Sequence, residues 1–239
     1  MRGYGESDKP EGVQHYSSDL LVADIVELLE ILIAKSAGQQ KSRRGAVLVA
    51  HDWGGIIAWT VAQARPDLVD RFIVLNSPHP AVWAARIATT WRQFLSSWYM
   101  FFFNCPLLPE LFFSRVDYAG LDYLYGRFNN PEDMDAYKYY FSMPYGLTGP
   151  LNFYRASLRG YGSGKTRKAA VELAKRKIEP KTLVIWGTED EFLITELAAD
   201  LAALCADGSV QLVERCSHWI MIEQPEKVNQ IMAHFLNLS

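Results

Sequence analysis

Residues 47–55, VLVAHDWGG, constrain the fold more than any other stretch of the chain. Ala46-Val47-Leu48-Val49-Ala50 is a continuous run of small and β-branched residues of strand length, and such a run is expected to be buried on both faces of a parallel sheet. It passes without a linker into a helical pattern over 54–64 that stops near Pro66, and residues 71–76 (RFIVLN) then repeat the strand signal. Strand, helix, strand at this spacing predicts a right-handed parallel crossover and an α/β fold. A further helix is expected over 16–34, where Leu21, Ile25, Leu28, Leu29, Leu32 and Ile33 recur at helical spacing behind Ser17 or Ser18 as N-cap. A polar, basic linker (38–44) joins it to the strand.

From Pro78 to Glu179 the alternation breaks off into helical patterns rich in aromatics, with Asn130-Pro131 and Gly149-Pro150 each reading as a helix start. Residues 182–186 (TLVIW) resume the sheet, followed by a helix over 195–204, a strand over 210–214 and a closing helix over 225–236. The expected layout is therefore core (1–77), inserted helical cap (78–179) and core (180–239), with four core strands near 45–50, 71–76, 182–186 and 210–214. A chain of 239 residues accommodates one domain with such an insertion.

Charge narrows the function. The net charge of −3 comes without a long run of one sign, which points to neither nucleic acid nor an anionic membrane and leaves a small molecule as the ligand. The three cysteines, Cys105, Cys205 and Cys216, are widely spaced and lack a CxxC, so they read as reduced, packed thiols rather than disulfides or a zinc site. No signal peptide opens the chain, and the most apolar window, 94–113, is broken by Asn104, Pro106, Pro109 and Glu110. The chain reads as cytoplasmic; a membrane anchor would have to precede it. GYGSGKT at 160–166 looks like a phosphate loop, but the pattern would need glycine where Arg159 stands, and nucleotide binding is rejected. The basic stretch 165–177 reads as a solvated helix.

Ala50-His51-Asp52-Trp53-Gly54 has the small-x-nucleophile-x-small form of a nucleophile elbow, with aspartate in place of the usual serine. An N-cap is the plain alternative for an aspartate at a strand-to-helix turn. A carboxylate nucleophile needs a base to hydrolyse its ester and an acid to orient that base, and α/β-hydrolases supply them in the order nucleophile, acid, histidine. Asp190, flanked by Glu189 and Glu191, follows one core strand, and His218 follows the last, both at strand C-terminal ends where open α/β sheets gather ligands. Either acidic neighbour of Asp190 could instead be a solvated loop residue, as could Asp190 itself. The chain also has His15, His51, His79 and His234.

Over essentially all of its length the chain resembles the epoxide hydrolases of the α/β-hydrolase superfamily, most closely the animal branch related to vertebrate types 3 and 4. The motifs are RGYGESDKP (2–10), HDWGG (51–55), SPHP (77–80), LTGPLNFYR (147–155), WGTED (186–190) and SHW (217–219). The resemblance implies hydrolysis of hydrophobic, lipid-like epoxides to vicinal diols without metal or organic cofactor. Asp52 would be the nucleophile, His218 and Asp190 the water-activating pair, and the Trp53 backbone N–H an oxyanion donor, with Trp219 in contact with substrate. Two cap tyrosines of that family donate to the epoxide oxygen. Tyr154 falls on the tyrosine of the NxYR signature and Tyr99 lies seven residues before Pro106. Ten of the twelve tyrosines lie between Tyr99 and Tyr161, so most of them serve packing instead. The family also has strands before RGYG, ending in an HGxP motif that supplies a second oxyanion donor. Their absence makes the chain read as a fragment, an internal start or an alternative product, and would leave residues 46–50 without one strand neighbour, as an apolar edge. Two other readings stand beside the first. A haloalkane dehalogenase would share the aspartate elbow and use the Trp53 ring N–H on halide, without needing either tyrosine, and a catalytically impaired truncation would keep the triad by descent.

Overall fold

The computed structural model describes residues 1–36, 45–126, 130–161 and 176–238. The linker 38–44, most of the phosphate-loop-like segment and nearly all of the basic stretch 165–177 lie outside the described residues. By their own contacts the residues fall into two compact units, one of Val22–Ser97 with Lys168–Ser239 and the other of Met1–Leu21 with Trp98–Arg167.

The first unit holds the sheet. Strands β1 (Ala46–His51), β2 (Val69–Leu75), β3 (Lys181–Gly187) and β4 (Gly208–Val213) lie in the order β1-β2-β3-β4, all parallel. Their register sets His51 beside Leu75, Leu75 beside Ile185, and Gly187 beside Val213. The C-terminal ends of all four strands therefore reach one edge.

The two central strands are the buried ones. Phe72, Ile73 and Val74 of β2 and Val184, Ile185 and Trp186 of β3 have no exposure. On one face Ile73, Leu75, Leu183, Ile185 and Val213 cluster with Val228, Ile231, Met232 and Phe235 of helix α11 (Pro225–Leu236). On the other, Trp59 of helix α2 (Asp52–Ala64) meets the Phe72 ring edge-on at 4.8 Å, and its indole N–H donates to Ser77 O at 3.0 Å. β1 corrects the expectation of a strand buried on both faces and meets the other one, an apolar edge. It is only half-buried, and Val49 is exposed, because among the described residues β1 ends the sheet and has a neighbour on one side alone. Helix α1 (Ser18–Ser36) forms where the periodicity places it, yet Leu28 and Leu32 of its apolar face are exposed while Leu21 and Leu29 are buried. Helices α3 (Pro80–Thr89), α4 (Trp91–Ser96), α9 (Glu196–Leu204) and α10 (Ile220–Glu223) complete this unit.

The second unit is helical, with α5 (Trp98–Asn104), α6 (Leu108–Tyr125), α7 (Pro131–Ser142) and α8 (Thr148–Leu158). α7 begins as expected, with Pro131 in the first turn and the Asn130 side chain accepting from Asp133 N at 2.9 Å. α8 begins at Thr148, one residue before the expected Gly149. RGYG and LTGP, far apart in sequence, meet here. Gly3 has φ of +85°, and a Cβ on Gly149 would sit 2.6 Å from Gly3 O, so both positions require glycine.

Arg155 of α8 ties the unit together. Its guanidinium donates to both oxygens of Glu110 at 2.7 and 2.8 Å, to Cys105 O at 2.8 Å and to Phe103 O at 3.1 Å. With side-chain exposures of 7% and 19%, the two charges are largely out of water, and removing one strands the other. Arg155→Met should cost about 3–5 kcal/mol in denaturant-induced unfolding, and adding Glu110→Leu should recover much of that loss.

Candidate active site

The sharpest local feature is Asp52. His51 ends β1 in extended conformation (φ −130°, ψ 148°), and Asp52 then opens α2 at φ 47°, a left-handed value that aspartate tolerates better than most residues. The turn is held by Ser77 Oγ, which donates to Asp52 O at 2.6 Å. The N-cap position belongs to His51, and no side chain caps α2, so Asp52 does not take the plain capping role. The need for glycine falls on Gly55 rather than on Gly54. A Cβ on Gly55 would lie 2.4 Å from the Ser77 side chain, whereas one on Gly54 would meet nothing within 4 Å.

The parallel register delivers the other two candidates to the same edge. His218 follows β4 and Asp190 follows β3, and His218 Nδ1 lies 2.8 Å from Asp190 Oδ2. On the opposite side of the ring, His218 Nε2 lies 3.3 Å from Asp52 Oδ1. Of the three adjacent acids, Asp190 is thus the one paired with the histidine. Its side chain has no exposure and accepts four hydrogen bonds: from His218 Nδ1, from Asn76 Nδ2 at 2.6 Å, and at Oδ1 from the amides of Phe192 and Leu193 at 2.8 and 2.9 Å.

Asn76 escapes the sequence reading. It is fully buried at the end of β2 with φ 37°, and its Oδ1 accepts from Gly187 N at 3.1 Å while its Nδ2 serves Asp190. Only the asparagine placed directly after a buried strand hints at such a bend. His51 is the second such residue. Its Nε2 lies 3.0 Å from His218 O, and its ring packs against those of His218 and Trp219. Burial first, and then the nearby His218 charge, push His51 down to about 4, so the neutral ring donates from Nε2 to the carbonyl. The Glu223 carboxylate accepts from the Ser217 amide and hydroxyl and anchors the residue before His218.

These contacts set the charges. Burial works to lower His218, but the charge and hydrogen bond of Asp190 and then those of Asp52 outweigh it and push the ring up to about 10. Burial works to raise Asp52, whose side chain keeps 34% exposure, yet the hydrogen bond and charge of His218, helped by His51 and the Trp53 amide, hold it below the usual carboxylate range. At neutral pH the arrangement is an imidazolium between two carboxylates. Trp219 packs edge-on against His218 at 4.9 Å. Among the described residues no group of three or more His, Cys, Asp or Glu is placed to hold a metal.

Tyr99 and Tyr154 come together in the helical unit. Their rings meet edge-on at 5.9 Å, Phe103 packs against both, and each tyrosine is half-buried. Arg155, the neighbour of Tyr154, fixes α8 to the end of α5 through its bonds to Phe103 O and Cys105 O. The arginine of the NxYR signature is thus structural.

Comparison with known proteins gives the same fold throughout. Residues 1–231 match the model of the alpha/beta hydrolase family. Epoxide hydrolase 1 of Caenorhabditis elegans is 38% identical and epoxide hydrolase 4 of Mus musculus 35%, each over 99% of this chain, and the chain spans 57% and 64% of their respective lengths. The crystal structure of a Bacillus megaterium epoxide hydrolase in complex with an inhibitor superposes with a TM-score of 0.83 at 26% identity, over 99% of this chain and 82% of that one.

Two outcomes follow from the geometry. A group whose folded value is raised binds its proton more tightly in the folded state. The stabilisation from His218 should therefore be complete below its ordinary value of about 6.5 and disappear as pH rises through about 10. Unfolding free energies measured from pH 6 to 10 should show that decline in the parent protein and a flatter profile in Asp190→Asn. Gly55→Ala should lose about 1–3 kcal/mol against Ser77, while Gly54→Ala should be neutral or gain up to about 1 kcal/mol, as read by thermal melts.

Proposed function

Because the chain belongs to the alpha/beta hydrolase family, whose fold it has, we propose that it works as an epoxide hydrolase with Asp52 as nucleophile. The observation that carries this is the aspartate at the elbow, one carboxylate oxygen 3.3 Å from a histidine whose other nitrogen is bound to a buried acid. The relatives named epoxide hydrolase support it. The insertion expected at 78–179 is read as the cap, and its aromatic character suits a hydrophobic, lipid-like epoxide.

The chemistry requires each residue type. Asp52 attacks a ring carbon, the carbon–oxygen bond breaks toward oxygen, and Tyr99 or Tyr154 gives the leaving alkoxide a proton. General acids of this kind contribute about 100- to 10,000-fold. A serine would leave a stable ether, whereas aspartate leaves an ester that water can cleave. Ester formation also removes the Asp52 charge, one of the two that hold the proton on His218. The imidazolium can then give a proton to solvent, from which the tyrosinate takes one up, and become a base at the moment one is needed. His218 takes a proton from water, the hydroxide attacks the Asp52 carbonyl, and the Trp53 backbone N–H faces the oxyanion. Collapse releases the diol and restores the carboxylate–imidazolium pair, so protons balance over the cycle. Trp219, packed on His218, borders the substrate.

The dehalogenase alternative shares Asp52 but gives no work to the paired tyrosines. Turnover of styrene oxide against a dibromoalkane separates the two, and halide release without diol would overturn our reading.

His218→Gln should allow the ester to form but not to break, leaving a substrate-sized adduct on the Asp52 peptide by mass spectrometry. An adduct elsewhere, or undiminished turnover, would remove Asp52 from its role. Tyr154→Phe and Tyr99→Phe should each slow alkylation of Asp52 with little change in ester hydrolysis, and the double variant should be nearly inactive. Pre-steady-state kinetics resolves the two phases.

A further inference from the structure

α4 carries one polar side chain that is wholly enclosed, Gln93, in a helix whose Trp91, Phe94 and Leu95 are exposed. An amide buried in this way is costly unless its polar atoms are matched. Gln93 Nε2 donates to Phe192 O at 2.9 Å and to Ser97 Oγ at 3.1 Å, and its Oε1 accepts from Ile194 N at 3.1 Å. Ser97 Oγ in turn donates to Gln93 O at 2.8 Å. Both amide protons and the oxygen are committed, so the side chain has one orientation.

The segment it grips is the one that holds Asp190. Asp190 Oδ1 is bound by the amides of Phe192 and Leu193, and Gln93 fastens the same stretch at Phe192 O and Ile194 N. The Phe192 ring meets His218 edge-on at 5.3 Å. Loop 190–194 thus contributes both the acid and an aromatic wall to His218, and its outer side is fixed by a residue about a hundred positions earlier in the chain. Ser97 is also the last residue of the sheet unit before the chain enters the helical one.

We propose that Gln93 is a positioning residue for the Asp190–His218 pair: by clamping the 192–194 backbone to α4 it holds the two amides that fix the Asp190 carboxylate against His218 Nδ1. The kinetic form of this proposal rests on the epoxide-hydrolase reading; the positioning of His218 does not. The titratable groups that act on His218 are Asp190, Asp52 and His51, and a substitution at Gln93 removes none of them, so a shift reports a change in their placement.

The test uses Gln93→Met, which keeps the length of the side chain and removes all three bonds, and Gln93→Asn, which keeps an uncharged amide but shortens it by one methylene and so withdraws it from Phe192 O and Ile194 N. Arg92→Ala, on the exposed side of α4, is the control. The titration midpoint of the His218 ring, followed by NMR, should fall by about one unit in both Gln93 variants and stay in place in the control. In single turnovers of styrene oxide, ester hydrolysis should slow by about 10- to 100-fold while ester formation changes by less than about 2-fold. If both variants melt cooperatively with the His218 midpoint and both rates of the control, Gln93 is packing alone and the proposal falls. Should the methionine variant not fold, the asparagine variant decides by the same readouts. Absence of any ester in the parent protein would overturn the functional reading instead, and the His218 titration would still decide the role of Gln93.

Discussion

The Asp190 carboxylate is the constraint on which the rest of the site depends. An ionised carboxylate without solvent exposure is tolerated only when its oxygens are matched, and here four donors reach it from three places in the chain. Asn76 comes from the end of β2, the two amides from the loop after β3, and His218 from the loop after β4. All three converge because the strands are parallel and in register, so their C-terminal ends share one edge. The acid is held on every side before it orients the histidine, which is the condition for a fixed tautomer and a fixed direction of proton transfer.

Asp52 is positioned by a different means. Beyond the contact with His218 its placement rests on the backbone, which takes a left-handed turn at the residue that begins α2. Such a conformation is disfavoured and persists where neighbours enforce it. Ser77 supplies that enforcement by hydrogen bonding to the Asp52 carbonyl, and its own closeness to Gly55 explains the glycine there. A strained turn and a clamped acid meet at His218, whose two nitrogens face one carboxylate each.

The helical unit shows the same division of labour between neighbouring residues. Arg155 buries its charge against Glu110 and two carbonyls and so fixes the end of α5 to α8. Tyr154, one residue earlier, is thereby held against Tyr99 with Phe103 wedged on both rings. In a segment crowded with tyrosines, these two are set apart by the packed ring and the buried ion pair beside them.

The sequence by itself determined the four strands, the parallel order of the sheet and most of the helices, and it named Asp52, Asp190 and His218 as candidates. Apolar periodicity, glycine and proline are local signals, and a strand-to-helix junction announces its own turn. The residues themselves leave Glu189 and Glu191 open beside Asp190, and the structure shows which of the three faces His218, since all share one loop and only direction distinguishes them. Asn76, His51, Gln93 and Glu223 were invisible in advance for the same reason. Each is an ordinary polar residue whose role consists of a hydrogen bond to a group six to 167 positions away. For β1 the apolar run suggests full burial and the count of strands an edge; the sheet decided for the edge, because the burial of a strand depends on the neighbours it has there, and the composition of the strand cannot supply them.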